Sequence, residues 1–260
     1  MLPTTPIAFV LAVLTPPAAG TTTFKYQVVQ RMEQEVDASS VGQGKQSFVV
    51  KTTSFIAITL ADSAGGKAMK VVVDSVRADS LPPQMPSDSF VKKAKGASFT
   101  GFMDATGKVS NVKSSGVDVQ GLQMEALLRD MFPRYRKGMK AGDTWTDTTS
   151  SATKIGGGEL QVRAITTYKA GAQETVAGMK ATRLDASIAS QLAGTQNTPG
   201  GPADIAGAGN GTWNYFLGPN NEFLGGTGSN TSNLSVTIVA AQTVTLPVTL
   251  RQTTDIKLLR

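Results

Sequence analysis

The chain has 260 residues, 40% hydrophobic, 17% charged and 6% aromatic, with a net charge of +6 and a pI near 9.5. A chain this long buries roughly 70–75% of its unfolded surface, and its apolar content excludes intrinsic disorder. Histidine and cysteine are both absent, which removes thiolate and His-ligated metal sites, disulfides, Cys nucleophiles and His-based triads; no cofactor and no metal centre is expected.

Residues 1–20 carry no charged side chain, and the apolar run Ile7 to Leu14 is followed by Thr-Pro-Pro-Ala-Ala-Gly. This reads as a signal-peptide core with a processing region at Ala18–Gly20, although the usual basic start is missing. Eight apolar residues span only about 12 Å as a helix, too short for a bilayer core of about 30 Å. The alternative is a strand-like or disordered N-terminal arm. The expected address is periplasmic or otherwise extracytoplasmic, in contact with a membrane.

From Thr21 the pattern has period two, the strand signature. Phe24, Tyr26, Val28 and Met32 fall on one face, and Lys25, Gln27, Arg31 and Glu33 on the other. A polar loop from Asp37 to Gly44 leads to a second alternating run through Phe48, Val50, Ile56, Ile58 and Leu60. Gly65-Gly66 turns the chain into Met69, Val71 and Val73. Residues 79–95, with three prolines and three lysines, read as a loop, and Phe99 to Val112 as a hairpin turning at Asp-Ala-Thr-Gly-Lys.

One helix is predicted near 118–132, from the spacing of Leu122, Met124, Leu127, Leu128 and Met131 ahead of Pro133. Strands resume at Thr144–Thr148, Leu160–Lys169, Val176–Ile188, Gly211–Leu217, Leu234–Ala240, Val244–Leu250 and near Ile256–Leu258. The Gly-, Ala-, Pro- and Asn-rich stretch 193–211 reads as a long flexible loop. The expected fold is mainly β: a large curved antiparallel sheet, half-barrel or sandwich-like, with one amphipathic helix. Residues 21–260 form a single domain, with a duplication into 21–115 and 141–258 about the helix as a further possibility.

Catalytic vocabulary is sparse. Ser89 to Lys92 and Ser110 to Lys113 fit S-x-x-K, but the companion K-T-G strand and S-D-N loop of that chemistry are missing. Asp143 and Asp147 flank Trp145, an arrangement of the kind a carboxylate-dependent hydrolase uses; a turn at Gly142-Asp143 and a core Trp145 is the plainer reading. Asn210, Asn230 and Asn233 fit N-x-[ST] and otherwise read as turn residues. No catalytic residue is assigned, and the chain is not expected to be an enzyme.

The cluster Arg129, Arg134, Arg136, Lys137 and Lys140 straddles the helix end, with Lys92, Lys93 and Lys95 as a smaller group. One or two of the five complement the helix dipole. As a group they are candidates for contact with an anionic membrane or a partner. Tyr135 is the sole aromatic among them, and single-strand binding needs several, so no nucleic acid is expected.

Phe132-Pro133, followed by Gly138-Met-Lys-Ala-Gly-Asp-Thr-Trp145, resembles a segment of uncharacterised exported bacterial proteins grouped in domain-of-unknown-function families. In these a helix ending in Phe-Pro precedes a Gly-Asp-Thr-Trp strand start, and the Phe99 to Val112 hairpin is similar in style. The resemblance covers about residues 45–150 and implies an exported, β-rich bacterial protein, with no activity or site residues attached.

Three functions follow as expectations. The first is a non-catalytic extracytoplasmic structural or interaction protein, an accessory subunit of a membrane-associated complex with an envelope or membrane protein as partner. The second is a periplasmic carrier holding a lipid or other apolar ligand in a half-barrel, with Phe48, Ile56, Ile58, Leu184 and Ile188 as lining. The third is a carboxylate-dependent hydrolase.

Overall fold

The computed structural model describes residues 20–82, 94–115, 124–155, 157–176, 178–198, 201–239 and 243–259. Residues 1–19 and 83–93, which include the apolar N-terminal run, Ser89, Lys92 and Lys93, lie outside the described residues, as does 118–123 at the start of the predicted helix. Eleven strands form one antiparallel sheet: β1 (Thr22–Asp37), β2 (Lys45–Ser63), β3 (Gly66–Ser80), β4 (Ser98–Asp104), β5 (Val109–Ser115), β6 (Thr144–Ile155), β7 (Gly158–Val176), β8 (Met179–Thr198), β9 (Gly201–Leu217), β10 (Phe223–Val239) and β11 (Thr243–Leu259). Their order is β5-β4-β3-β2-β1-β11-β10-β9-β8-β7-β6. Each strand pairs with its sequence neighbours except β5 and β6, which form the two edges, and at the centre β1 zips against β11 from Lys25↔Leu259 to Val36↔Val248. Strands from 21–115 thus lie to one side of that seam and strands from 141–258 to the other.

Sheets this wide twist and curl rather than lie flat, and this one curls into a half-barrel. The inner face carries Tyr26, Val28, Ile56, Ile58, Leu184, Tyr215 and Ile256, all buried in one cluster. The outer face alternates with it and is mostly polar: Lys25, Thr59, Asp185, Thr212 and Lys257 all point away, with Ile165, Val239 and Leu259 as exposed apolar exceptions.

The α-helix α1 (Met124–Asp130) sits inside the curve at one end. Leu127, Leu128, Met131 and Phe132 from this segment are buried against the sheet. Tyr215 donates a hydrogen bond to Asp130 O at 3.3 Å, and Phe132 packs edge-on to Phe223 with ring centroids 5.5 Å apart. The β4–β5 hairpin closes over the same end. Gly107 at its turn has φ of 84°, and a Cβ there would meet Pro133 O at 2.5 Å, so only glycine lets the hairpin seat on the chain leaving α1.

Asp104 holds that hairpin turn. Its Oδ1 accepts from the Thr106 amide at 2.8 Å, the Thr106 hydroxyl at 2.7 Å and the Lys108 amide at 2.9 Å. Partial burial pushes its pKa up, but these hydrogen bonds and the Arg134 charge outweigh it and leave the carboxyl below the usual range. The stability it contributes is therefore present above about pH 4 and lost as pH falls through the lowered value. Asp104→Ala is expected to cost about 1 kcal/mol at pH 7 and much less near pH 2. Urea unfolding of both proteins at the two pH values checks this; a pH-independent difference would show that the carboxylate is not the cause.

The structure corrects three sequence expectations. The stretch 193–211 is not a loop: it forms the end of β8 and most of β9, paired from Ala193↔Ala206 to Thr198↔Gly201. Gly207 and Gly209 are there for space rather than flexibility: a Cβ at Gly209 would stand 2.5 Å from Ser232 Oγ and 2.8 Å from Ser190 Oγ, and one at Gly207 would meet Asn233 O. Val176–Ile188 is not one strand; the chain turns between Val176 and Met179, with Gly178 at φ 76°. Asn210, Asn230 and Asn233 are not turn residues but lie within β9 and β10.

Candidate functional site

Rows of side chains run across the inner face of the sheet, and their chemistry changes from the helix end outward. The row through Val28, Ile256, Tyr215 and Leu184 is buried beneath α1 and Met131–Phe132. The next two rows are largely polar. Gln30 pairs with Thr52 and Thr254, and the row continues through Gly228 and Trp213; then come Gln252, Asn230, Gly211, Ile188, Thr166 and Asp147. Beyond this belt the strands β7 to β11 turn apolar again. Val248, Leu234, Leu192 and Val162 form one row, Leu246, Val236, Ile205 and Leu160 the next, and Val244 and Ile238 follow.

These outer aliphatic residues differ from the core. All except Val248 are only half-buried, and none belongs to the buried cluster or packs against it. Together they line a trough on the concave side. Of the lining residues expected from sequence, Ile56, Ile58 and Leu184 are fully buried core, whereas Phe48 and Ile188 are half-buried on the concave face.

A cavity of about 220 Å³ lies between α1 and the polar belt and reaches Val162 at the edge of the trough. Gln30, Gln252, Asn230, Thr254 and Ser190 form its floor, and Asp130, Arg134, Asp147 and Tyr168 stand around it. The Oδ1 of Asn230 is buried and takes no hydrogen bond. Trp213 stacks on Tyr215 with ring planes 4° apart and centroids 5.1 Å apart, and it rests against Gly228, where any side chain would collide with the indole. Burial holds the Tyr215 phenol well above its ordinary pKa and raises Tyr168 as well, so both remain neutral. Asp130 is exposed where it opens onto the cavity, and the protein around it desolvates its carboxyl enough to raise it above the usual range, against the pull of Arg134 and then Arg129.

A second cavity, of about 570 Å³, sits beyond the helix at the closed end. Phe24, Leu60, Met103, Tyr135 and Phe223 give it apolar walls, and Lys67 and Glu222 stand at its rim.

The basic cluster divides. Arg134 turns inward, its side chain only 12% exposed, to pair with Asp147 at 3.3 Å and donate to Gly107 O at 3.0 Å. Arg129 is half-buried and lines the smaller cavity. Arg136 lies over the Trp145 ring at 5.6 Å, while Lys137 and Lys140 are exposed. Three basic residues of the cluster therefore remain on the surface, and Lys95 is exposed too. Arg134→Ala is expected to cost about 1–3 kcal/mol, because it leaves Asp147 and a carbonyl unpaired. Arg136→Ala, which loses a cation–π contact on the surface, should cost less than about 1 kcal/mol. Chemical denaturation of the two variants tests the ranking, and the reverse order would refute the inward placement of Arg134.

The carboxylates around Trp145 do not converge. Asp143 accepts the Lys140 amide at 2.8 Å in the preceding turn, and Asp147 is held by Arg134. Trp145 is buried and stacked on Tyr168, centroids 5.5 Å apart. Ser110 lies in β5 and donates to Phe102 O at 3.5 Å. Among the described residues no helix is long and apolar enough to cross a membrane.

The architecture defines the class: a one-sheet antiparallel β half-barrel with its concave face partly capped by a short helix. Neither a protein-family model nor a curated protein matches the chain.

Proposed function

We propose that this protein is a non-enzymatic carrier that holds the apolar chain of a lipid-like molecule along its concave face. The observation that carries this reading is the trough itself. Aliphatic side chains on five adjacent strands stay half-exposed on a concave surface while the convex face of the same strands is mostly polar, with Ile165, Val239 and Leu259 as scattered exceptions. Exposed apolar patches of this kind mark ligand or partner sites. Concavity favours a chain-like guest, and the polar cavity at the end of the trough favours a guest with one apolar and one polar end.

The carrier works outside the cytoplasm. Its exported character rests on residues 1–20 and on the resemblance of the Phe132–Trp145 segment to exported proteins. Arg136, Lys137 and Lys140 are the contact to an anionic headgroup surface or an envelope partner during loading. The accessory-subunit reading uses the same trough, with an apolar segment of a membrane protein in place of the lipid. The polar cavity argues against it, since such a segment brings no polar group to that depth.

A native mass spectrum of the protein, taken from its membrane fraction in mild detergent, tests the reading. A single chain carrying a lipid-sized adduct that organic solvent removes is the expected result. Co-migrating subunits with no adduct would overturn the carrier in favour of the accessory subunit.

A further inference from the structure

The cavity between α1 and the polar belt has the composition of a carbohydrate site, and we infer that it binds the sugar head of an amphipathic molecule whose tail lies in the trough. The inference rests on the carrier reading for the tail and on the cavity alone for the head.

Charge comes first. The cavity is lined by two arginines, Arg129 and Arg134, and two aspartates, Asp130 and Asp147, and Arg134 is already paired with Asp147. A phosphate or carboxylate head would meet as many anions as cations, so the site does not select an anion. Its remaining polar groups are amides and hydroxyls, which both donate and accept and therefore match neutral hydroxyl groups.

Two features of the floor fit a sugar rather than any small polar head. The Trp213–Tyr215 stack presents aromatic surface beside those amides. A pyranose carries C–H groups on its face and hydroxyls on its rim, so it can lie on an electron-rich ring face while its edge hydrogen-bonds sideways. The second feature is Asn230. Its Oδ1 is buried without a partner, and it sits where a Cβ at Gly211 would come within 3.2 Å. With no Cβ at Gly211, the Asn230 amide has room to turn toward the cavity it lines, and a hydroxyl donated to it there removes a cost that proteins rarely leave standing. The volume of about 220 Å³ is below the roughly 300–1,000 Å³ of whole-ligand pockets, which suits a head whose tail lies outside it.

Calorimetric titration of the full chain decides the matter, with dodecyl maltoside, the dodecyl ether of tetraethylene glycol (both below their critical micelle concentrations) and free maltose as probes. The maltoside is expected to bind about tenfold tighter than the ether, the worth of one or two hydrogen bonds. Trp213→Ala and Asn230→Leu should each erase most of that advantage without weakening the ether; if the first does not fold by circular dichroism, the second carries the test. Equal affinities for the two detergents would overturn the sugar site and leave the carrier intact. Maltose binding as tightly as its alkyl derivative would uphold the sugar site, make a free sugar its ligand and overturn the carrier. Binding of none of the three would overturn both.

Discussion

Leu128→Ala is expected to destabilise the protein by about 2–5 kcal/mol, because it opens a cavity where α1 meets the sheet. Leu128 is fully buried, in the same cluster as Phe99, Met131 and Tyr215. Its neighbours belong to several elements, and a sheet held by its ladder hydrogen bonds cannot collapse to fill the space. For a domain of this size the loss lowers Tm by roughly 4–20 °C. The same truncation at Leu192, on the trough row of β8, should cost no more than about 1 kcal/mol. That side chain is half-exposed, so less apolar area returns to water and the space left is open to solvent. Thermal and urea unfolding of the pair give the comparison directly. Equal costs would mean that Leu192 is packed as core, and the trough would cease to exist as a surface.

The contrast between these two leucines also marks how far the sequence could be read. Alternation in Phe24, Tyr26 and Val28, and again in Ile56, Ile58 and Leu60, identifies the inner face because every second residue of a strand points the same way. Those residues do line the interior. Leu127, Leu128 and Met131 likewise announce a helix, and the apolar spacing places it correctly against the sheet. Alternation states which face a residue takes but not what covers it, so Leu184 and Leu192 look alike in sequence and differ in the structure. The lengths appear only in the structure: the seven described residues of α1 span about 10 Å, whereas strands of 17–20 residues run about 55–65 Å, so α1 cannot cover their inner face.

The Gly- and Ala-rich stretch 193–211 failed for a different reason. Its composition carries turn propensity, but tertiary pairing on both sides overrides it, and Gly207 and Gly209 serve the close approach of Leu234 and Ser232 on the neighbouring strand. The basic cluster was visible only as charge. Nothing in the spacing of Arg134 and Arg136 says that the first turns inward to Asp147 and the second outward over Trp145. The polar belt is not legible in the sequence, because Gln30 comes from the first strand and Asn230 and Gln252 from the last two, and they meet only through register.

If the trough carries a lipid as proposed, Val236→Lys is expected to strip the protein of it while leaving the fold nearly as stable. Val236 lies mid-trough, paired to Ile205 on one side and Leu246 on the other, and is half-exposed. A lysine there can lay its methylenes on the neighbouring aliphatics and lift its ammonium to water, so folding loses about 1 kcal/mol or less. An apolar chain passing the same point must either leave the charge unsolvated or withdraw from contact. Withdrawing about four methylenes at roughly 0.8 kcal/mol each forfeits ~3 kcal/mol, about a hundredfold in affinity. Ser235→Lys is the matched control: one residue away, it is exposed on the convex face and should change neither lipid content nor stability. Extraction and mass analysis of the lipid carried by the wild type and both variants, with unfolding curves alongside, reads the outcome. Loss confined to Val236→Lys places the guest on the concave face; equal retention in both variants means that whatever binds does not lie along these strands.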